Sequence, residues 1–208
     1  MQQKKIKISE AVVGRLPIYL RYLQHLQDMN IKKVSSHELG QKLDMNPAQI
    51  RKDLAYFGEF GRKGIGYEVS YLISKIKEIL KINRHINVGL VGAGHLGIAL
   101  SNYNRFTREK LSIAAIFDAD PNKWGMSVGH LKVQPVSELQ ETVKEKDIKM
   151  GIITVPATEA QKVVDQLIAA GVTAILNFAP ATLKVPSHVH LRNADLTTEL
   201  QSLAYYVD

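Results

Sequence analysis

The first chemical signal is a run of six residues behind an apolar stretch. Gly92, Ala93, Gly94, His95, Leu96 and Gly97 follow Ile86–Val91 directly and precede an apolar helical stretch, Ile98 to Tyr103. A G-x-G-x-x-G flanked by strand and helix is the setting in which this spacing cradles a dinucleotide. Gly92 makes the tight turn, Gly94 lets the backbone approach a pyrophosphate, and Gly97 lets helix and strand pack closely. The helix N-terminus adds free N–H groups and a partial positive charge toward that pyrophosphate. The second signal is an acid at the end of the next apolar run, where Leu111–Phe117 ends in Asp118, 21 residues beyond Gly97. A carboxylate there accepts from the adenosine ribose hydroxyls and repels a 2′-phosphate, which favours NAD(H) over NADP(H). Lys123 nearby softens that preference. Asp118 also has a plainer reading, as a turn residue ahead of Pro121.

Catalytic groups are scarce beside these binding signals. A dehydrogenase of this type adds a region carrying a general acid or base, yet only Ala194–Asp208 follows the last strand signal. None of the 7 histidines has an evident carboxylate to orient it. His188 and His190 flank one strand without a third ligand, so no metal site is expected. There is no cysteine, which excludes a disulfide scaffold, a thiolate nucleophile and Cys-ligated zinc or iron–sulfur sites, and fits a cytoplasmic protein. No apolar run is long enough for a membrane helix, and no apolar region follows the basic N-terminus as in a secretory signal. A bound dinucleotide therefore reads as a signal more than a substrate.

The charge lies unevenly. Residues 1–84 carry 16 Lys/Arg against 8 Asp/Glu, while 85–208 carry 11 against 12. The whole excess belongs to the first two-fifths of the 208 residues, which predicts two modules and a polyanion partner for the first. Residues 11–29 place Ile18, Tyr22, Leu23 and Leu26 at helical spacing, with Pro17 expected in the first turn. Ser35 with Glu38 is a capping box for a second helix through Leu39 and Leu43. Asn46, Pro47 and Gln49 start a third, whose apolar stripe is Ile50, Leu54 and Phe57. Its other face shows Gln49, Arg51, Lys52 and Tyr56. Short helix, turn and basic helix form a helix-turn-helix, whose second helix enters the major groove. The glycine-rich stretch Gly58–Gly66 and the alternating Tyr67–Tyr71 predict a β-hairpin wing with Arg62, Lys63 and Gly64 at its tip, able to approach DNA closely. Ser36, Pro47, Gln49, Arg51, Lys52, Tyr56, Arg62, Lys63 and Gly64 are the expected DNA-facing residues. Leu72, Ile76, Ile79 and Leu80 predict a closing helix.

Beyond residue 84 strands and helices alternate. Ser137 with Gln140 predicts a helix start, and Ile148–Val155 a buried strand. A helix over Thr158–Ala170 ends at Gly171, and two more strands follow at Ala174–Phe178 and Val189–Arg192. Near-continuous apolar strands between helices mean a doubly wound parallel sheet. The strand ends Thr154, Val155, Pro156 and Asn177, Phe178, Ala179 line the crevice at its carboxyl edge, beside Val91. The expected fold is α/β: a winged helix-turn-helix domain over 1–84, a Rossmann domain over 85–195, and a terminal helix over 196–208. Leu196, Leu200, Leu203, Ala204 and Val207 form an apolar stripe on that helix. It packs either on its own domain or into a second subunit, the latter favoured because helix-turn-helix proteins bind as two-fold dimers.

Taken in order, seven stretches resemble the bacterial redox-sensing repressors of the Rex family. They are Arg15–Leu23, Ile50–Gly58, Gly61–Tyr67, Val91–Gly97, Phe117–Pro121, Ile175–Pro180 and Leu200–Tyr206, which together span nearly the whole chain. The resemblance implies a homodimer whose last helices are exchanged between subunits. It implies repression at a palindromic double-stranded operator, release from DNA on binding NADH, and competition by NAD+. It also implies that Tyr103 and Asp195 respond to the reduced nicotinamide, and that Arg15 contacts this aspartate in the DNA-bound form. Leu196 stands where some members carry an aromatic residue. Two other classes predict different behaviour. A small NAD-dependent oxidoreductase would turn over substrate, and a coenzyme A-binding module would ignore nicotinamide redox state.

Overall fold

The computed structural model describes residues 8–56, 66–103, 106 and 110–207. The chain divides into two compact units, Met1–Arg84 and His85–Asp208.

Helix α1 (Glu10–Asp28) opens the first unit, with the Ser9 hydroxyl accepting the Val12 amide and Glu10 in the first turn. That cap starts the helix earlier than expected, so Pro17 lies inside it and not in its first turn. Proline has no N–H to give the Val13 carbonyl, a loss tolerated because Val13 is 38% exposed and water can serve it. The buried stripe is Val12, Leu16, Tyr19, Leu20, Leu23 and Leu26, with Ile18 and Tyr22 only half-buried beside it.

The capping box at Ser35 is present, with the Ser35 hydroxyl accepting from the Glu38 amide and the Ser35 amide donating back to Glu38. It starts α2 (Ser36–Leu43), and the Asn46 side chain caps α3 (Pro47–Ala55) through the Ala48 amide. Between them Asp44 takes a left-handed φ of +51°, and the Met45 amide returns to the Gly40 carbonyl at 2.9 Å. A Cβ on Gly40 would come within 2.6 Å of the Met45 carbonyl oxygen, so the tight α2–α3 turn requires glycine there.

Two-residue strands β1 (Lys33–Val34) and β2 (Tyr67–Glu68) pair antiparallel, and α4 (Val69–Ile79) follows at once. The expected strand over Tyr67–Tyr71 is thus only two residues long. Its apparent alternation gives way to the helical stripe Val69, Leu72, Ile73 and Ile76, which is buried against α1. Phe57 and the wing residues Gly58–Ile65, including Arg62, Lys63 and Gly64, lie outside the described residues.

The second unit is a seven-stranded sheet. Its strands are β3 (Ile86–Val91), β4 (Leu111–Asp118), β5 (Ser127–Val128), β6 (Leu131–Pro135), β7 (Met150–Ile153), β8 (Ala174–Asn177) and β9 (His190–Asn193). The spatial order is β5-β6-β4-β3-β7-β8-β9, parallel throughout except for β5 against β6. Leaving β5 aside, this is the 3-2-1-4-5-6 order of a Rossmann fold, with the reversal beside β3. Strand β6 escaped the sequence reading because Lys132, Gln134 and Pro135 break its apolar pattern and Val133 alone is buried.

Among the described residues the helices of this unit are α5 (His95–Ser101), α6 (Leu139–Glu145), α7 (Ala157–Ala169) and α8 (Leu196–Ala204). Ser137 does not cap α6. It lies in a short 3-10 turn, Val136–Glu138, and Glu138 precedes the helix without a side-chain cap. Packing of α8 on its own domain is not seen, because none of its residues is buried.

Candidate nucleotide cleft and nucleic-acid face

The turn after β3 is shaped by what cannot fit there. Gly92 has φ +108°, and a Cβ on it would sit 2.6 Å from the Thr154 carbonyl oxygen. A Cβ on Gly97 would collide with the Gly92 carbonyl oxygen, whereas one on Gly94 meets nothing within 4 Å. Two glycines thus let the loop pack on itself and against Thr154 after β7, while Gly94 faces open space. The Thr154 hydroxyl donates to the Gly92 carbonyl at 2.8 Å and also lies 3.2 Å from that of Val91, pinning the loop from the end of β7.

Asp118 ends β4 and is almost fully buried. Its Oδ2 accepts from the Ala93 amide at 2.7 Å and from Lys123 Nζ at 2.9 Å, and its Oδ1 accepts from the Asp120 amide at 2.9 Å. Burial opposes its charge, but the Asp120 amide, the Lys123 ammonium and the Ala93 amide outweigh it and hold the carboxyl below its ordinary range. The group is therefore an ionised acceptor with three of its roughly four lone-pair sites filled, leaving one on Oδ1 for a hydroxyl. The bond from the Asp120 amide is a turn contact, as the plainer reading of Asp118 expects.

A cleft of about 800 Å³ runs along this edge, within the range of pockets that bury small ligands. Val91, Gly92, Gly94, Asp118, Lys123, Thr154, Val155 and Pro156 line it. Ala93 and Gly97 are buried in the loop behind, and Asn177 is buried with its amide spent on Ala179 and Asn193. His95, Leu96, Phe178, Ala179 and Tyr103 are not among the cleft residues. Sequence reasoning missed one wall. Glu159, Lys162, Val163 and Gln166 face the cleft from α7, spaced i, i+3, i+4, i+7, a period readable in the sequence but with no motif to single it out. Trp124 was missed too, and its indole Nε1 donates to the Asp118 carbonyl at 2.9 Å.

In the first unit Gln49, Arg51 and Lys52 are exposed on α3, with Ile50 and Leu54 buried beneath. Arg51 Nη1 donates to the Ser36 hydroxyl at 3.2 Å, tying α3 to the first turn of α2. Tyr56 is half-buried against the core. Among the described residues no cluster of His, Asp or Glu could hold a metal, and no helix is long and apolar enough to cross a membrane.

Comparison with known proteins joins these two halves. Residues 7–55 match the family model for a putative DNA-binding protein N-terminus, and residues 83–181 match the model for a CoA binding domain. The redox-sensing transcriptional repressor Rex of Brevibacillus brevis is 59% identical over 204 residues, covering 98% of this chain and 99% of that one. The chain belongs to the Rex family. Another member, from Syntrophobacter fumaroxidans, is 46% identical and covers 98% of each chain. The crystal structure of the Rex-family repressor RSP in complex with β-NAD+ and operator DNA matches with a TM-score of 0.91 at 37% identity, covering 98% of this chain and 94% of that one. The RSP complex with β-NADH matches at 0.87 and 36% identity, over 98% and 95%.

In this Rex-family chain the three residues singled out by resemblance are held by three separate sets of partners. Asp195 caps α8, accepting from the Thr197 and Thr198 amides and from the Thr198 hydroxyl at 2.7 Å. Those bonds hold its carboxyl below the ordinary range. Tyr103 sits edge-on to Phe106 at a centroid distance of 5.1 Å. Arg15 forms a fork on Asp53 of α3, Nε to Oδ2 at 2.6 Å and Nη2 to Oδ1 at 2.9 Å.

Proposed function

We infer that this chain is a DNA-binding transcriptional repressor that senses the NADH/NAD+ ratio, NADH releasing its homodimer from a palindromic operator. The observation that carries this reading is the pairing, in one chain, of a basic helix-turn-helix face with a cleft built for a dinucleotide. The two RSP complexes, one with NAD+ and operator DNA and the other with NADH, support both halves in a relative. The Gly92–Gly97 loop fits the pyrophosphate and Asp118 the adenosine ribose. Thr154 to Pro156 line the same cleft, and by resemblance Tyr103 and Asp195 respond to the reduced nicotinamide.

NADH can release DNA only by binding the DNA-incompetent arrangement more tightly than the competent one. The oxidised ring is cationic and the reduced ring is not, so a carboxylate such as Asp195 can discriminate between them. Arg51 and Lys52 face the major groove, and Lys63, which lies outside the described residues, is the expected contact to the minor groove or backbone. Exposed Leu196, Leu200 and Leu203 on α8 seat in the second subunit. The protein acts in the cytoplasm as a regulator and needs no catalytic group.

A gel shift against genomic palindromes, repeated with NADH, NAD+, NADPH and coenzyme A, tests the reading. Release by NADH at lower concentration than by the other three supports it. Failure to retain any palindrome, or equal release by coenzyme A, overturns it.

A further inference from the structure

Asp53 is a carboxylate in the wrong place for an ordinary charged residue. It lies on α3, one position after Lys52, yet it is 0% exposed. Four donors converge on it. Oδ1 accepts from Arg15 Nη2 at 2.9 Å and from Gln49 Nε2 at 2.7 Å. Oδ2 accepts from Arg15 Nε at 2.6 Å and from the Tyr19 hydroxyl at 2.7 Å. A carboxylate has about four lone-pair sites, so this one is saturated. Three of these donors come from α1 and one from the exposed face of α3, and all depend on a group that cannot turn to water.

We propose that Asp53 is a positioning residue of the DNA-reading unit: through it Arg15 on α1 sets where α3 presents Gln49. The consequence is physical. If Arg15 withdraws, Asp53 loses two of its four donors and becomes a buried charge without a cation, a strongly unfavourable state. Helix α3 must then shift to find solvent or another donor, and Gln49 moves with it. The Arg15 side chain keeps 27% of its surface exposed, so part of it stays accessible while its Nε and Nη2 hold Asp53. The position of Arg15 and the reading face of α3 are therefore one variable. This inference rests on the reading of the chain as a DNA-binding repressor.

The test compares Asp53→Asn and Arg15→Lys with wild type in the full-length protein. Asparagine keeps the shape but brings two N–H groups against existing donors, and lysine keeps the charge but loses the fork. Leu72→Ala, a cavity in the same core, is the control for lost stability. The probe is a duplex selected from random-sequence DNA by the wild type, with a scrambled duplex of equal length as reference. Both variants are expected to lower the selected-to-scrambled affinity ratio about tenfold, the size of one good base contact. NADH affinity of Asp53→Asn and the salt slope of both variants should stay at wild-type values, because Asp53 lies outside the cleft and no phosphate contact has changed. Leu72→Ala should keep the ratio. An unchanged ratio in either folded variant, or an equal fall in Leu72→Ala, overturns the proposal. Should Asp53→Asn fail to fold, Arg15→Lys decides alone. A wild type that selects no duplex overturns the repressor reading, and this proposal with it.

Discussion

The Asp118 carboxylate accepts the Ala93 amide at 2.7 Å, so the end of β4 and the glycine loop after β3 form one unit. A ligand that engages Asp118 therefore also engages the geometry of the loop. Asp118→Asn should weaken NADH binding about tenfold to a hundredfold, as expected for losing hydrogen bonds to a charged acceptor worth roughly 1.5–3 kcal/mol. It should also narrow the preference for NADH over NADPH, because the charge opposing a 2′-phosphate is gone. Titrations with both nucleotides measure the two effects, and an unchanged preference would remove Asp118 from the ribose site.

Thr154 restrains the same loop from the opposite side through its hydroxyl. Thr154→Val keeps the volume and deletes a hydrogen bond of about 1 kcal/mol. NADH affinity should fall several-fold while the thermal midpoint changes by only a few degrees. Wild-type affinity in this variant would mean that the loop holds its shape without the threonine.

Arg51 and Lys52 differ from the cleft residues in what they should do with salt. Replacing Lys52 with Gln should weaken binding to all duplexes alike and lower the slope of log affinity against log salt by roughly one if it meets a phosphate. Replacing Arg51 should instead relax sequence preference if it reads a base edge. Competition assays at several salt concentrations separate the two outcomes.

The apolar face of α8 is the clearest unpartnered surface among the described residues, with Leu200 at 67% exposed. Leu200→Glu should leave the Rossmann unit folded, since no residue of α8 is buried. Light scattering should show the dimer converting to monomer, and operator affinity should fall with it. A dimer of unchanged mass would place the subunit contact elsewhere.

Stability should vary with pH at both ends. Burial alone would raise the Asp53 carboxyl, but hydrogen bonds from Arg15, Tyr19 and Gln49 prevail and hold it below its ordinary range. Its contribution is complete above the unfolded value near ~3.9 and is lost as pH falls through the depressed folded value. Tyr19 is raised, first by burial and then by its bond to Asp53. Its contribution is complete below about pH 10 and is lost as pH rises through the raised folded value. Unfolding midpoints across pH 2–12 should show both limbs, and Asp53→Asn should shift the acid one.

Much of this molecule can be read from local pattern. The capping box at Ser35, the Asn46-Pro47 start and the G-x-G-x-x-G after Ile86–Val91 appear as expected, because each is settled by groups within a few residues. Pro17 misled because the true start of α1 depends on Ser9, one turn upstream of the apolar pattern. Tyr67–Tyr71 misled because alternation over five residues also fits the first turn of a helix, and burial against α1 decides between them. Strand β6 was missed because pairing with β4, not side-chain pattern, holds it in the sheet.

By itself the sequence determined the division near residue 84, the basic excess of the first unit, the alternation of strands and helices in the second, and the glycine spacing of the loop after β3. These follow from composition and from short-range hydrogen bonding and hydrophobic period. Only the tertiary structure decided which partners the charged groups take. Asp53 lies 38 residues from Arg15 and 34 from Tyr19, and Asp118 lies 25 from Ala93. In the sequence Asp53 is merely the acid after Arg51-Lys52 on a helix, to be read as solvated. Burying α3 against α1 takes its water away, and a buried charge must then gather donors from wherever the fold brings them.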